Sequence, residues 1–153
     1  MTHHRRRQIR DRAKAQLLGL PSTGAEVYIG RTRELKQGHA PTWLVYARTE
    51  GSDVDTQGGG STLLRNLALL LEGRANAEGE TAAEDLENLL DDMAAEAEGA
   101  MALDFSLNGL ATEVTLTGTE IETIAAGELH QGRIALRYRV VYRTLETDPT
   151  QPV

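Results

Sequence analysis

The sequence has no cysteine, which removes disulfides, thiolate nucleophiles, Cys-ligated zinc and iron–sulfur clusters together. Lysine is nearly absent, with only Lys14 and Lys36, and aromatic residues make up 4% of the 153 positions. The longest uninterrupted apolar run is Leu67 to Leu71, far short of the ~20 residues that a membrane-spanning helix needs. No apolar run follows the basic Arg5–Arg7, and Gln8-Ile9-Arg10-Asp11-Arg12 stays charged, so a secretory signal is not expected and the reading is cytoplasmic. What is present suits one globular domain over 1–153: 40% of residues are hydrophobic and 25% charged. A chain of this length buries roughly 68–70% of its unfolded surface, enough for a core without metal or disulfide staples.

Net charge is −7, which argues against a general nucleic-acid binder. The distribution is more telling than the sum. Positions 75–132 hold 14 Asp and Glu and no Lys or Arg, while the remaining positions hold all 16 basic residues against 9 acids. A particle with one acidic and one basic side suits head-to-tail contact with its own copies. The plain alternative is that helices solvate themselves with Glu and strands with Arg.

Along the chain, Ile9, Ala13, Leu17 and Leu20 recur at helical spacing, predicting a helix from about Arg5 to Leu18 that Gly19 and Pro21 stop. Glu26–Ile29 reads as a short strand, ended by Gly30, and 31–41 as a connection. Thr42–Thr49 is a second strand, nearly continuous in apolar character through Trp43-Leu44-Val45-Tyr46 and so expected to be covered on both faces. Glu50 to Thr62, with four glycines and two aspartates, reads as a mobile loop. In Leu63–Glu72 the leucines favour helix while length and flanking glycines favour strand; the reading adopted is a strand paired with 42–49. Thr81 and Glu84 form a capping box that opens a second helix, with Leu86, Leu89, Leu90, Met93 and Ala97 as its buried stripe and Gly99 as its end. Glu113–Ile124 and Arg133–Thr144, joined by a turn near Gly127, form a long β-hairpin. In its second strand Ile134, Leu136, Tyr138, Val140 and Tyr142 point to the core and Arg133, Arg137, Arg139 and Arg143 away from it. Residues 1–5 and the tail 146–153 are expected to be disordered. The fold class is α/β in the α+β sense, a small mixed, mostly antiparallel sheet with two helices packed on it and the hairpin at its C-terminal end.

No motif with chemistry stands above its bland alternative. His3 and His4 on a free end cannot fix one metal ion, and His39 and His130 fall in connections. Gly58-Gly59-Gly60-Ser61-Thr62 lacks the Gly-Lys-Ser/Thr ending of a phosphate loop. Asp91 and Asp92 are adjacent on a helix and do not face each other. No catalytic residue, cofactor site or metal site is therefore assigned. The cluster Arg5-Arg6-Arg7-Arg10-Arg12 offers salt-dependent, non-specific contact with DNA passing nearby, without aromatics for base stacking.

The ordered set of segments resembles the tail terminator proteins of long-tailed bacteriophages, of the minor tail protein U type. It rests on Leu17-Leu18-Gly19-Leu20, on Thr23 to Arg31 around Val27-Tyr28-Ile29, on Pro41-Thr42-Trp43-Leu44-Val45-Tyr46, on the acidic Gly-rich loop and acidic helix, and on Tyr138-Arg139-Val140-Val141-Tyr142. The resemblance implies a subunit that assembles into a hexameric ring, caps the tail tube, halts its polymerisation and presents a surface to a head-completion protein. It implies location in the host cytoplasm during assembly and then at the head-proximal end of the virion tail. Partners so implied are other copies of the chain, the tail tube protein and a connector, with no membrane. For the contact between copies the candidates are Arg133, Arg137, Arg139 and Arg143, opposed either by Glu120 or Glu122 of the neighbouring strand or by Glu84, Asp91 and Glu98 of the next copy's helix. For the face toward tube or connector they are Asp53, Asp55, Gly58, Gly59 and Gly60. Two other readings stay open, a different head–tail joining protein and a small-molecule-binding or enzymatic domain of ferredoxin-like type.

Overall fold

The structure, a computed structural model, describes residues 2–30, 41–55 and 61–151. Its elements in chain order are α1 (Arg5–Leu17), β1 (Val27–Ile29), β2 (Thr42–Val54), β3 (Thr62–Glu78), α2 (Ala82–Leu103), β4 (Glu113–Ala126) and β5 (Leu129–Leu145). The five strands form one sheet in the order β1-β2-β3-β5-β4. Only β1 runs parallel to its neighbour; the other three pairings are antiparallel. Fold class thus agrees with the sequence reading.

Both helices pack on one face of the sheet. α1 lies on β1 and β2 and touches α2; α2 lies on β3 and β5. The buried stripe Ile9, Ala13 and Leu17 holds α1 down, while Leu86, Leu90, Met93, Ala97 and Met101 hold α2. They meet Trp43 and Val45 of β2, Leu67, Leu69 and Leu71 of β3, and Ile134, Leu136, Tyr138, Val140 and Tyr142 of β5 in one cluster. Each fully buried side chain of this size contributes about 1.5–3 kcal/mol. Gly73 lies in this layer because nothing larger fits: a Cβ there would sit 2.9 Å from Ile134 Cγ2 and 3.1 Å from Trp43 Cζ3. The other face carries no helix among the described residues, and no residue of β4 is buried on either face.

The ambiguous leucine segment is a strand, and it runs beyond Glu72 to Glu78, paired along its length with β5. The reading of 50–62 as one loop is corrected in its first half. Glu50 to Val54 continue β2 and pair with Leu67 to Leu63, and the Asp55 amide donates to the Thr62 carbonyl at 2.8 Å. This arm shows no apolar alternation because Gly51, Ser52, Asp53 and Val54 are all exposed; cross-strand backbone bonding alone defines it. Gly58, Gly59 and Gly60 lie outside the described residues.

α2 does not stop at Gly99 but continues to Leu103; the cost of an exposed glycine, about 1 kcal/mol, is outweighed by burying Met101 two residues later. Thr81 precedes the helix without capping a backbone amide, its hydroxyl donating instead to the Asp85 carboxylate at 2.8 Å. The tail, expected to be disordered, makes backbone bonds at two places: the Arg5 amide at the start of α1 donates to the Pro149 carbonyl at 2.9 Å and the Glu146 amide donates to the Ser61 carbonyl at 2.9 Å, while 152–153 lie outside the described residues. Arg5 itself, placed at the edge of the expected frayed end, is the first residue of α1 and is buried.

Candidate functional site

The arginines of β5 stand on the face without helices, and each already holds an acid of its own chain. Arg133 meets Glu72 of β3 and Glu122 of β4, both at 2.9 Å. Arg137 meets Glu120 at 3.1 Å, Arg139 meets Glu113 at 2.7 Å, and Arg143 meets Asp55 at 2.6 Å. The register explains this, since β4 runs beside β5 and places Glu122 directly across from Arg133. The hydrogen bond to Glu72, with Glu122 adding, raises the Arg133 pKa above its ordinary value. Arg139 and Thr115 hold the Glu113 carboxyl below its own. Glu120 and Glu122 were foreseen as partners; Glu72, Glu113 and Asp55 were not. An acid interrupting a run of leucines was the available sign for Glu72, which is 4% exposed and also takes Arg74 at 3.1 Å. Beside this row, Arg48 stacks on the Tyr46 ring at 4.5 Å. The open recess between them, about 680 Å³, is lined by Tyr46, Arg48, Leu70, Glu72, Arg133 and Arg137 among others.

The acids of α2 are arranged otherwise. Glu84, Glu87, Asp91 and Glu98 are spaced three, four and seven residues apart, which puts them on one flank of the helix. Among the described residues none of the four is in an ion pair. The flank faces away from α1, because the opposite side makes the contacts there: Glu96 accepts from the Ser22 amide at 2.8 Å, and Asp104 takes Arg12 at 2.8 Å. Burial works against ionisation of Asp104, yet the Asn108 amide and Arg12 together hold its carboxyl below the ordinary value. On the acidic flank Glu98, Met101, Ala102 and Phe105 border a recess of about 230 Å³ floored by Val114, Leu116 and Tyr138. Burial, with Glu98 nearby, pushes the Tyr138 hydroxyl up to about 12. Leu103 and Phe105 close this end of the helix at 88% and 75% exposure. Sequence reading placed Phe105 nowhere; its position just past an amphipathic helix was the only hint.

A third cluster is internal. Glu50 of β2 accepts from Arg6 of α1 at 2.7 Å, from Arg65 of β3 at 3.2 Å and from the Tyr142 hydroxyl of β5. Burial, then the Glu50 bond, raises the Tyr142 pKa. His4 caps α1 by accepting the Arg6 amide at 3.0 Å, and burial with Arg6 and Arg65 lowers its pKa. These groups fasten α1 to the sheet. The basic N-terminal cluster is therefore partly committed to the fold, with Arg6 on Glu50 and Arg12 on Asp104.

Asp53, one of the residues expected to face tube or connector, is exposed on the β2 arm, and Asp55 is engaged by Arg143. His39 lies outside the described residues, and His130 is half-buried beside the β4–β5 turn. Among the described residues no three His, Cys, Asp or Glu are grouped to hold a metal, and no helix is long and apolar enough to cross a membrane.

No protein-family model matches the sequence, and no curated protein does. Among solved structures, the chain is similar to one in a structure titled "Virion of native gene transfer agent (GTA) particle", at 12% identity and a TM-score of 0.34, over 90% of this chain and 92% of that one. A similarity so distant carries no residue and no role across.

Proposed function

We propose that this chain is a structural, non-catalytic protein of a phage-type virion, and within that class a tail terminator. Copies assemble into a ring on the end of the tail tube, stop its polymerisation and offer the opposite face to a head-completion protein. Assembly takes place in the host cytoplasm, and the ring stays in the virion at the head-proximal end of the tail. The sequence resemblance supplies the role. The observation that carries the reading is a contrast in the surface: the strand arginines have their acids within the chain, whereas Glu84, Glu87, Asp91 and Glu98 of α2 are in no ion pair among the described residues and the neighbouring Leu103 and Phe105 are exposed. Such a surface fits contact with protein. Asp53 and Asp55, on the arm and at its end, remain the candidates for contact with tube or connector, and the basic N-terminal cluster remains a candidate for non-specific contact with DNA passing nearby.

The test is to add the purified chain to polymerising tail tube protein and to image the tube ends. Tubes should stop growing and end in a ring. Tubes that grow unchanged while the chain binds isolated head connectors would favour another head–tail joining protein. Turnover of a metabolite by a monomer would favour the enzymatic alternative.

A further inference from the structure

The two ends of the sheet are unlike, and they complement one another. At one end α1 covers β1 and β2; at the other the sheet runs past α2, so that β4 is left as an uncovered edge. The flank of α1 that meets α2 carries Arg12, bonded to Asp104. Arg7, Arg10 and Lys14, spaced three and four residues apart, fall on the other flank, toward the outer end of the molecule. Among the described residues the acid in an ion pair with them is Asp11, 3.8 Å from both Arg7 and Arg10. Across the molecule, the outward flank of α2 carries Glu84, Glu87, Asp91 and Glu98, in no ion pair among the described residues, with the apolar floor of Val114 and Leu116 beside its Glu98 end. The β5 arginines are not available as the basic partner of this row, since each is neutralised in its own chain.

We propose that a second copy of this chain occupies the trough between α2 and β4, presenting the Arg7–Arg10–Lys14 flank of its α1 to the acidic flank of α2. Because the two surfaces lie at opposite ends of one subunit, the contact is head to tail and repeats until it closes. It rests on the ring reading above only in naming how copies meet. Leu103 and Phe105 add exposed apolar area at the same edge, and β4 keeps a free strand edge there that an assembled neighbour would shield.

Charge reversal with complementation tests it. One variant carries Arg7→Glu, Arg10→Glu and Lys14→Glu; the other carries Glu84→Lys, Glu87→Lys and Asp91→Lys. In sedimentation at low salt the parent should form a closed oligomer, and each variant alone should need at least about tenfold more protein to assemble. An equal mixture should recover the oligomer, because each variant then offers what the other lacks. Milder pairs, Arg7→Gln with Lys14→Gln and Glu87→Gln with Asp91→Gln, should move assembly in the same direction and keep the reading open if a triple variant folds poorly. A monomeric parent, reversals that assemble as the parent does, or a mixture that stays monomeric would each overturn the contact. Complementation without tube capping would leave the contact standing and remove the tail terminator role. Capping by reversed variants that still assemble would do the opposite.

Discussion

Two rows of like charge run along this chain, one of arginines on β5 and one of acids on α2, and the fold treats them differently. The strand row lies between two neighbouring strands, whose side chains rise on the same face within reach; Arg133, Arg137 and Arg139 find their acids there, and Arg143 takes Asp55 just past the end of β2. The helix row lies on an outer flank, in no ion pair among the described residues, and at its Glu98 end it borders the apolar Val114 and Leu116 of β4. Inside a sheet, charge of one sign is met by the strand alongside; on the outermost helix flank it is left to solvent among the described residues. The segregation of charge along the sequence is therefore solvation and internal pairing in one region and an open surface in the other.

The sharpest way to break the comparison is to remove the buried acid from the strand row. Glu72 is 4% exposed and shared by Arg74 and Arg133. Taking away one partner of a buried pair costs about 3–5 kcal/mol. Arg133 and Arg74 are 41% and 29% exposed and can turn toward water, so Glu72→Ala should destabilise by about 3 kcal/mol, the low end of that range. Urea unfolding should show a lower midpoint at unchanged slope. A loss no larger than that of an exposed acid would mean that the strand row contributes nothing to the fold.

A smaller effect is expected further along the same row. Arg137 and Glu120 are 57% and 46% exposed at 3.1 Å, and such pairs contribute about 0.2–1 kcal/mol. Arg137→Glu should therefore cost at most about 1 kcal/mol, and the second change Glu120→Arg should restore most of it. Because the pair is internal, neither change should alter assembly. A fall in assembly with Arg137→Glu alone would return the β5 row to the interface between copies.

Much of the fold was legible because burial and spacing agree in it. The alternation of β5 and the Ile9–Ala13–Leu17 stripe are read directly from residues that are wholly buried. The outer half of β2 was not legible, since Gly51 to Val54 bury nothing and a strand held by backbone bonds leaves no hydrophobic period. Gly99 misled because a local cap signal competes with the burial of Met101, which only the tertiary fold supplies. For the candidate site, the sequence carried the identity of both charged rows and the Glu120 and Glu122 pairings. It could not say that Glu72 and Glu113 complete the neutralisation of the arginines, because that depends on β5 lying between β3 and β4, a strand order that local pattern does not encode.

The smallest expected effect on folding is also the one that separates the two rows most cleanly, because its sign is opposite. Glu87 lies three residues after Glu84 and four before Asp91, on one exposed flank and with no cation paired to it among the described residues. Like charges at these spacings destabilise a helix by about 0.2–0.5 kcal/mol per pair. Glu87→Gln relieves two such pairs and should raise stability by about 0.5 kcal/mol, read as a small upward shift in the urea midpoint. Salt at moderate ionic strength should shrink that gain, since the screening length falls to about 8–10 Å. The same substitution should weaken assembly, because it removes one of the acids that face the basic flank of the next copy, and that weakening should fade in salt too. A side chain that lowers the stability of its own subunit and raises the affinity between subunits is held in place by the contact it makes. Were Glu87→Gln to destabilise the subunit instead, the α2 row would have an internal partner after all, and the difference between the two rows would be one of degree.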